Sequence, residues 1–159
     1  MTAKAKSVVS PLDSYAGAVA IVTGGGSGIG KAIGQELARR GCQVVLADID
    51  LEGAEAAVEE IRASGGDASA LALDVADEAA VNSVVSATCD EYGRLDYMFN
   101  NAGVALNGKF ADYETSHWKK IIDVNLWGVV NGSRAAQRCM AQQGFGHIIN
   151  TASFAGIFP

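Results

Sequence analysis

Basic residues are scarce in this 159-residue chain: 12 Lys and Arg stand against 18 Asp and Glu, a net charge of −6. A surface built to neutralise phosphate backbones carries the opposite excess, which argues against nucleic acid as a partner and against an anionic membrane surface. No apolar run approaches the ~20 residues that a bilayer-crossing helix requires. Residues 1–17 hold Lys4 and Lys6 but neither the apolar stretch nor the cleavage pattern of a secretory signal, and they read as an N-terminal tail. Cysteine is sparse as well. Cys42, Cys89 and Cys139 are odd in number and widely spaced, which fits neither a disulfide framework nor a Cys-x-x-Cys metal or redox motif. These absences together predict a reduced, cytoplasmic protein. Only 2 prolines occur.

What the chain does have is apolar residues, 49%, and 19 glycines, about 12% against ~7% on average. Glycine without proline suggests tight turns and close backbone approaches rather than a flexible linker. Short apolar runs alternate with stretches of helical period. Strands are predicted at Ala18–Thr23, Gln43–Asp48, Ala68–Asp74, Leu95–Asn100 and His147–Thr151. Helices are predicted from Ile29 to Arg40, along the stripe Leu51, Ala54, Val58, Ile61, after a capping Asp77, and as one long helix over Thr115–Gln142. Strand and helix in regular alternation, with short connections, imply right-handed crossovers and an α/β fold with a doubly wound parallel sheet of about five strands. Residues 18–159 form one such Rossmann-type domain in this reading. Ligands of open parallel sheets bind beyond the carboxyl ends of the strands, so functional residues are sought there.

Beyond the first strand, Thr23-Gly24-Gly25-Gly26-Ser27-Gly28-Ile29-Gly30 runs directly into a helix. Glycines let the backbone turn sharply and come close to a pyrophosphate, and the helix N-terminus offers free N–H groups with a partial positive charge. An ordinary strand-to-helix turn needs fewer glycines. No Gly-Lys-Ser/Thr follows, so the loop is not a P-loop, and a dinucleotide site is the reading that remains. Asp48 closes the second strand, followed by Ile49. A carboxylate there accepts hydrogen bonds from the adenosine ribose hydroxyls and repels a 2′-phosphate, which favours NAD over NADP. Asp50 competes for the role, with helix capping as its alternative.

Thr-Gly-x-x-x-Gly-x-Gly in this setting resembles the short-chain dehydrogenase/reductase family, and further matches follow in order. Asp74-Val75 stands where that family places groups against adenine. Asn100-Asn101-Ala102-Gly103 is similar to its Asn-Asn-Ala-Gly signature. Asn125, within Asp123-Val124-Asn125-Leu126-Trp127-Gly128, resembles its tetrad asparagine, and Ser153, within Asn150-Thr151-Ala152-Ser153-Phe154-Ala155-Gly156, its catalytic serine. The resemblance implies cofactor contacts from Thr23, Gly24, Gly26, Ser27, Gly28, Ile29, Gly30, Asp48, Ile49, Asp74, Val75, Asn101, Ala102 and Gly103. Plainer roles compete: turn formation for Asp74, Asn100, Asn101 and Ser153, and a buried structural amide for Asn125. That amide falls on the apolar stripe Trp118, Ile122, Val129, Gly132, Ala136. His117 and His147 lie far apart, with no Cys or carboxylate at ligand spacing, so no metal site is expected.

The family's chemistry is hydride transfer between a nicotinamide and a small-molecule alcohol or carbonyl, with protons handled by a Tyr-x-x-x-Lys pair shortly after the serine. None of Tyr15, Tyr92, Tyr97 and Tyr113 has Lys four residues on. The expectation is therefore an N-terminal, cofactor-binding part of such an oxidoreductase, without the family's last strands and helices and inactive alone. An exposed fifth strand and homo-oligomerisation are expected with it. A dinucleotide-binding module that does no chemistry, or an inactive truncation product, is the alternative.

Overall fold

The computed structural model describes residues 15–153. Residues 1–14 and Phe154–Pro159 lie outside the described residues. Five parallel strands form one sheet: β1 (Val19–Thr23), β2 (Gln43–Asp48), β3 (Asp67–Ala72), β4 (Tyr97–Asn100) and β5 (His147–Asn150). Their spatial order is β3-β2-β1-β4-β5. Helices α1 (Gly28–Arg39), α2 (Leu51–Ala63), α3 (Glu78–Tyr92), α4 (Thr115–Ile122) and α5 (Gly128–Gln143) alternate with them. This is the doubly wound sheet that the apolar pattern predicts.

Every residue of β1 is buried, and its alternate side chains feed two cores. Ala20 and Val22 join Leu37, Ala54, Val58 and Ile61 beneath α1 and α2. Ile21 joins Val45, Val81, Val85, Met98 and Ala136 beneath α3 and α5. Each fully buried Val, Leu or Ile side chain stabilises the sheet by about 1.5–3 kcal/mol, which is why an uncharged β-branched run takes the central position. From β1 the chain moves outward through β2 to β3, then returns to lay β4 on the other side of β1. The loops leaving β1 and β4 therefore diverge and open a crevice at the carboxyl edge.

Asp77 caps α3 as predicted, its carboxylate accepting from the backbone N–H groups of Ala79 (2.9 Å) and Ala80 (3.1 Å). Asp77→Ala is expected to lower unfolding stability by about 1 kcal/mol, read as a shift of the urea midpoint with unchanged slope.

Two expectations are corrected. The helix predicted over Thr115–Gln142 is interrupted by a π-turn at Asp123–Trp127, between α4 and α5. One extra residue in a turn rotates everything beyond it by about 100°, so the stripe does not stay on one face. Asn131, Gly132, Ala135, Ala136 and Met140 are buried after the turn, while Trp118, Ile122 and Asn125 before or within it are exposed. Asn125 is thus not the buried amide that a regular period implies. The second correction concerns cysteine: Cys89 of α3 and Cys139 of α5 form a disulfide with Cα atoms 6.8 Å apart. Fifty residues of sequence separate them, and only the packing of the two helices brings them together. Cys42 stays a free thiol whose pKa is pushed up to about 12, chiefly by burial and then by the charge of Asp96.

β5 closes one end of the sheet and is largely exposed, as expected for a last strand. Among the described residues no helix is long and apolar enough to cross a membrane.

Candidate functional site

The glycine turn is positioned by Thr23 at the end of β1. Its hydroxyl donates to the Phe99 carbonyl (3.2 Å) and accepts from the N–H groups of Asn101 (2.9 Å) and Ala102 (3.0 Å), bolting β1 to the end of β4. Gly24 has φ +65°, and a Cβ there would stand 2.9 Å from the Ala102 backbone. Gly30, in the first turn of α1, packs so closely on the Gly24 carbonyl that no side chain fits between them. Gly28 opens α1 with φ +50° and nothing within 4 Å of where a Cβ would be, leaving clear space over the helix N-terminus. Ser27 is the N-cap residue, yet its hydroxyl makes no capping bond, and the first turn of α1 carries no acidic residue. The partial positive charge of that terminus is therefore not offset by its own helix.

Asp48 reaches across from β2. Its carboxylate accepts from Gly26 N (2.9 Å) and Asp50 N (3.0 Å), which holds the acid directly beside the glycine turn. The competitor Asp50 has the structural role: it is the N-cap of α2 and accepts from Gly53 N at 3.2 Å. Ile49 projects outward, 75% exposed. β3 ends at Ala72, so Asp74 and Val75 lie in the connection to α3 rather than on the strand. Asp74 accepts from Ala76 N (2.9 Å), the turn-forming bond that its plainer reading expects. Val75 is wedged by α5: the Asn131 amide donates to its carbonyl (3.0 Å), and a Cβ on Gly128 would stand 2.6 Å from its side chain.

A cleft of about 410 Å³ joins these segments, a volume within the usual range for small-molecule sites. Gly24, Ser27, Gly28 and Ile29 line it on one side, Asp48, Ile49, Asp74 and Val75 on another, and Asn101, Ala102 and Gly103 on a third. Thr23, Gly26 and Gly30 stand behind the wall as its supports. Asn100, by contrast, is buried and turned inward, donating to Ser133 (3.1 Å) and Asn150 (2.8 Å).

Neither residue with an implied catalytic role lines the cleft. Asn125 sits in the π-turn with both ends of its amide engaged: Oδ1 accepts from Val104 N and Nδ2 donates to Val104 O, each at 2.8 Å. It acts as a clip on the segment after Gly103, and Val104 and Val124 beside it do face the cleft. Ser153 is exposed two residues beyond Thr151, and Thr151 reaches the cleft wall. Leu73, Val104, Lys120, Val124 and Thr151 are lining residues that sequence reasoning missed. Leu73 and Thr151 fall within the strands predicted from the sequence but stand just past the shorter strands that form; Lys120 and Val124 are brought in only by the path of α4 and the π-turn. The histidines have structural roles: His117 accepts from Glu114 N in a capping box, and His147 stacks on Tyr97.

The cradle thus offers backbone N–H groups at a helix N-terminus, a carboxylate touching the same turn, and an apolar slot around Val75. Known proteins share this sequence and fold. The short chain dehydrogenase family profile matches residues 18–159. The 2,5-dichloro-2,5-cyclohexadiene-1,4-diol dehydrogenase LinX of Sphingobium indicum is 40% identical over 144 residues, 91% of this chain and 58% of that protein. Levodione reductase of Leifsonia aquatica is 37% identical over 151 residues, 93% and 57% of the two chains. A short chain dehydrogenase/reductase from Burkholderia phymatum, crystallised with NAD, superposes with a TM-score of 0.86 at 34% identity, covering 91% of this chain and 52% of the other. A metagenomic short-chain oxidoreductase in complex with NADP gives 0.86 at 37%, covering 92% and 66%. The chain spans a little over half the length of these curated relatives. The family match spans the glycine turn, the strand-end acid and the Asn-Asn-Ala-Gly segment, and the chain belongs to the short-chain dehydrogenase/reductase family.

Proposed function

We propose that residues 18–159 form the dinucleotide-binding part of an NAD-dependent oxidoreductase acting on a small-molecule carbonyl or secondary alcohol, with residues 1–17 as a tail. A bound nicotinamide would supply or accept the hydride; the chain's own residues bind, orient and polarise. The glycine turn and the N-terminus of α1 receive the diphosphate. Asp48 accepts hydrogen bonds from the adenosine ribose, Asp74 and Val75 flank the adenine, and Asn101, Ala102 and Gly103 support the nicotinamide half. Asn125 fixes the Val104 segment at the edge of the cleft, and Ser153 polarises the substrate oxygen. A cytoplasmic homo-oligomer is part of the same reading: Leu126 and Trp127 expose more than half of their surface, apolar area that a partner copy would cover.

The observation that carries the proposal is the 2.9 Å bond from Gly26 N to the Asp48 carboxylate. It puts an anion-seeking turn and an acid in contact at one mouth, so a ligand there combines a phosphate with a neighbouring diol. The Asp48 charge also supports NAD over NADP, because a 2′-phosphate placed against it meets like charge, and no Lys or Arg lies in the glycine turn to offset this. Fluorescence titration of the chain with NADH and NADPH tests the reading. NADH is expected to bind the more tightly; Asp48→Ala is expected to weaken NADH about tenfold, the loss of a charge-assisted pair, and to narrow the gap to NADPH. Folded protein with no affinity for either at millimolar concentration would end the proposal.

A further inference from the structure

Asn101 directs its side chain back from the end of β4 to the glycine turn. Its Nδ2 donates to the carbonyl oxygens of Thr23 (3.1 Å) and Gly24 (3.4 Å). The same amide lies against the first turn of α1, where a Cβ on Gly30 would stand 2.7 Å from Nδ2. One side-chain amide therefore sets how the glycine turn and the helix N-terminus meet.

An amide has two faces, and this one works in a single orientation. Both partners of Nδ2 are acceptors, so turning the group over would set Oδ1 against two carbonyl oxygens. The orientation shown has a donor at its other end: Thr151 Oγ1 donates to Asn101 Oδ1 at 3.1 Å. Thr151 is itself firmly placed. Its backbone N–H donates to the Asn100 carbonyl (3.0 Å), continuing the parallel ladder one residue past β5, and its β-branched side chain is stiff at χ1.

We propose that Thr151 is a positioning residue, whose hydroxyl orients the Asn101 amide and through it the glycine turn that receives the dinucleotide. The inference rests on the dinucleotide reading above and deepens it: the end of β5, two residues before Ser153, is tied through Asn101 to the phosphate-binding turn at the end of β1.

The test titrates the whole chain with two probes, NADH and ADP, the latter carrying the diphosphate but no nicotinamide. Thr151→Val keeps the shape and removes the donor. It is expected to weaken both probes by the same factor, about fivefold, the effect of one hydrogen bond. Thr151→Ser restores the hydroxyl and should bring both affinities back to within about twofold of the parent. On an Asn101→Ala background, Thr151→Val should add nothing, because the group through which it acts is gone. Weakening of NADH alone would mean that Thr151 acts on the nicotinamide half, directly or through Asn101, rather than on the glycine turn, and would overturn the proposal, as would unchanged affinity for both probes. A parent chain that binds neither probe would overturn the dinucleotide reading first, and this inference with it.

Discussion

A Gly30→Ala chain is expected to bind NADH at least about 100-fold more weakly than the parent while keeping its helical content, a loss of about 2.7 kcal/mol in binding. An added Cβ would run into the Gly24 carbonyl and stand 2.7 Å from both the Gly24 carbonyl carbon and Asn101 Nδ2. The obstacle is backbone, which does not rotate away as a flexible side chain would. Relief requires either α1 or the glycine turn to move, and those are the two parts of the proposed anion cradle. Overpacking of this kind costs about 1–3 kcal/mol in ordinary cores. Here the displacement falls on the binding surface itself. Gly28→Ala is the instructive control. Its φ of +50° carries a strain of about 1–2 kcal/mol for any other residue, yet nothing stands within 4 Å of the new Cβ. It should bind NADH with a clearly smaller loss. Titration of both variants, with circular dichroism for helix content, decides the matter; Gly30→Ala binding as well as the parent would show that the Gly24–Gly30 contact does not shape the cradle.

Strand ends and glycines were legible because their signals are local. A β-branched run, a burst of glycines and a capping aspartate each act within a few residues, so β1, the turn after it and the start of α3 follow from neighbouring chemistry. The pair Asp48 and Asp50 shows where local reasoning thins. Both are acids near a strand end, and what separates them is that one faces Gly26 across the sheet while the other bonds to Gly53 of its own helix. The π-turn at Asp123–Trp127 was not legible at all. Its apolar residues satisfy a 3.6-residue period on paper, whereas the Val104 backbone held by Asn125 and the close approach of Gly128 to Val75, both from distant parts of the chain, accompany the insertion. Thr151 was overlooked because threonine at a strand end reads as an ordinary β-former; its significance comes from Asn101, fifty positions earlier in the chain.

Reduction of the Cys89–Cys139 disulfide is expected to lower the melting temperature by about 10 °C while leaving NADH affinity nearly unchanged. Cross-linking closes a loop with a sequence separation of 50, and the chain-entropy relation assigns such a loop about 4 kcal/mol of stabilisation. For a domain of this size each kcal/mol moves the melting point by about 2–4 °C. The bond joins the last turns of α3 and α5. The helices also meet through exposed pairs, Arg134 with Glu78 and Arg138 with Asn82, which contribute little. The Val75 carbonyl, at the cleft, is held separately by Asn131. Losing the disulfide therefore loosens the ends of the helices remote from the cleft, so stability and affinity should part company. Cys89→Ser should melt like the reduced parent and respond no further to reductant, whereas Cys42→Ser should keep the full reductant response. Thiol titration in denaturant should count one free group before reduction and three after, since Cys42 alone is unpaired. Three free thiols without reductant, or a melting point indifferent to it, would show that the two helices are held by packing alone.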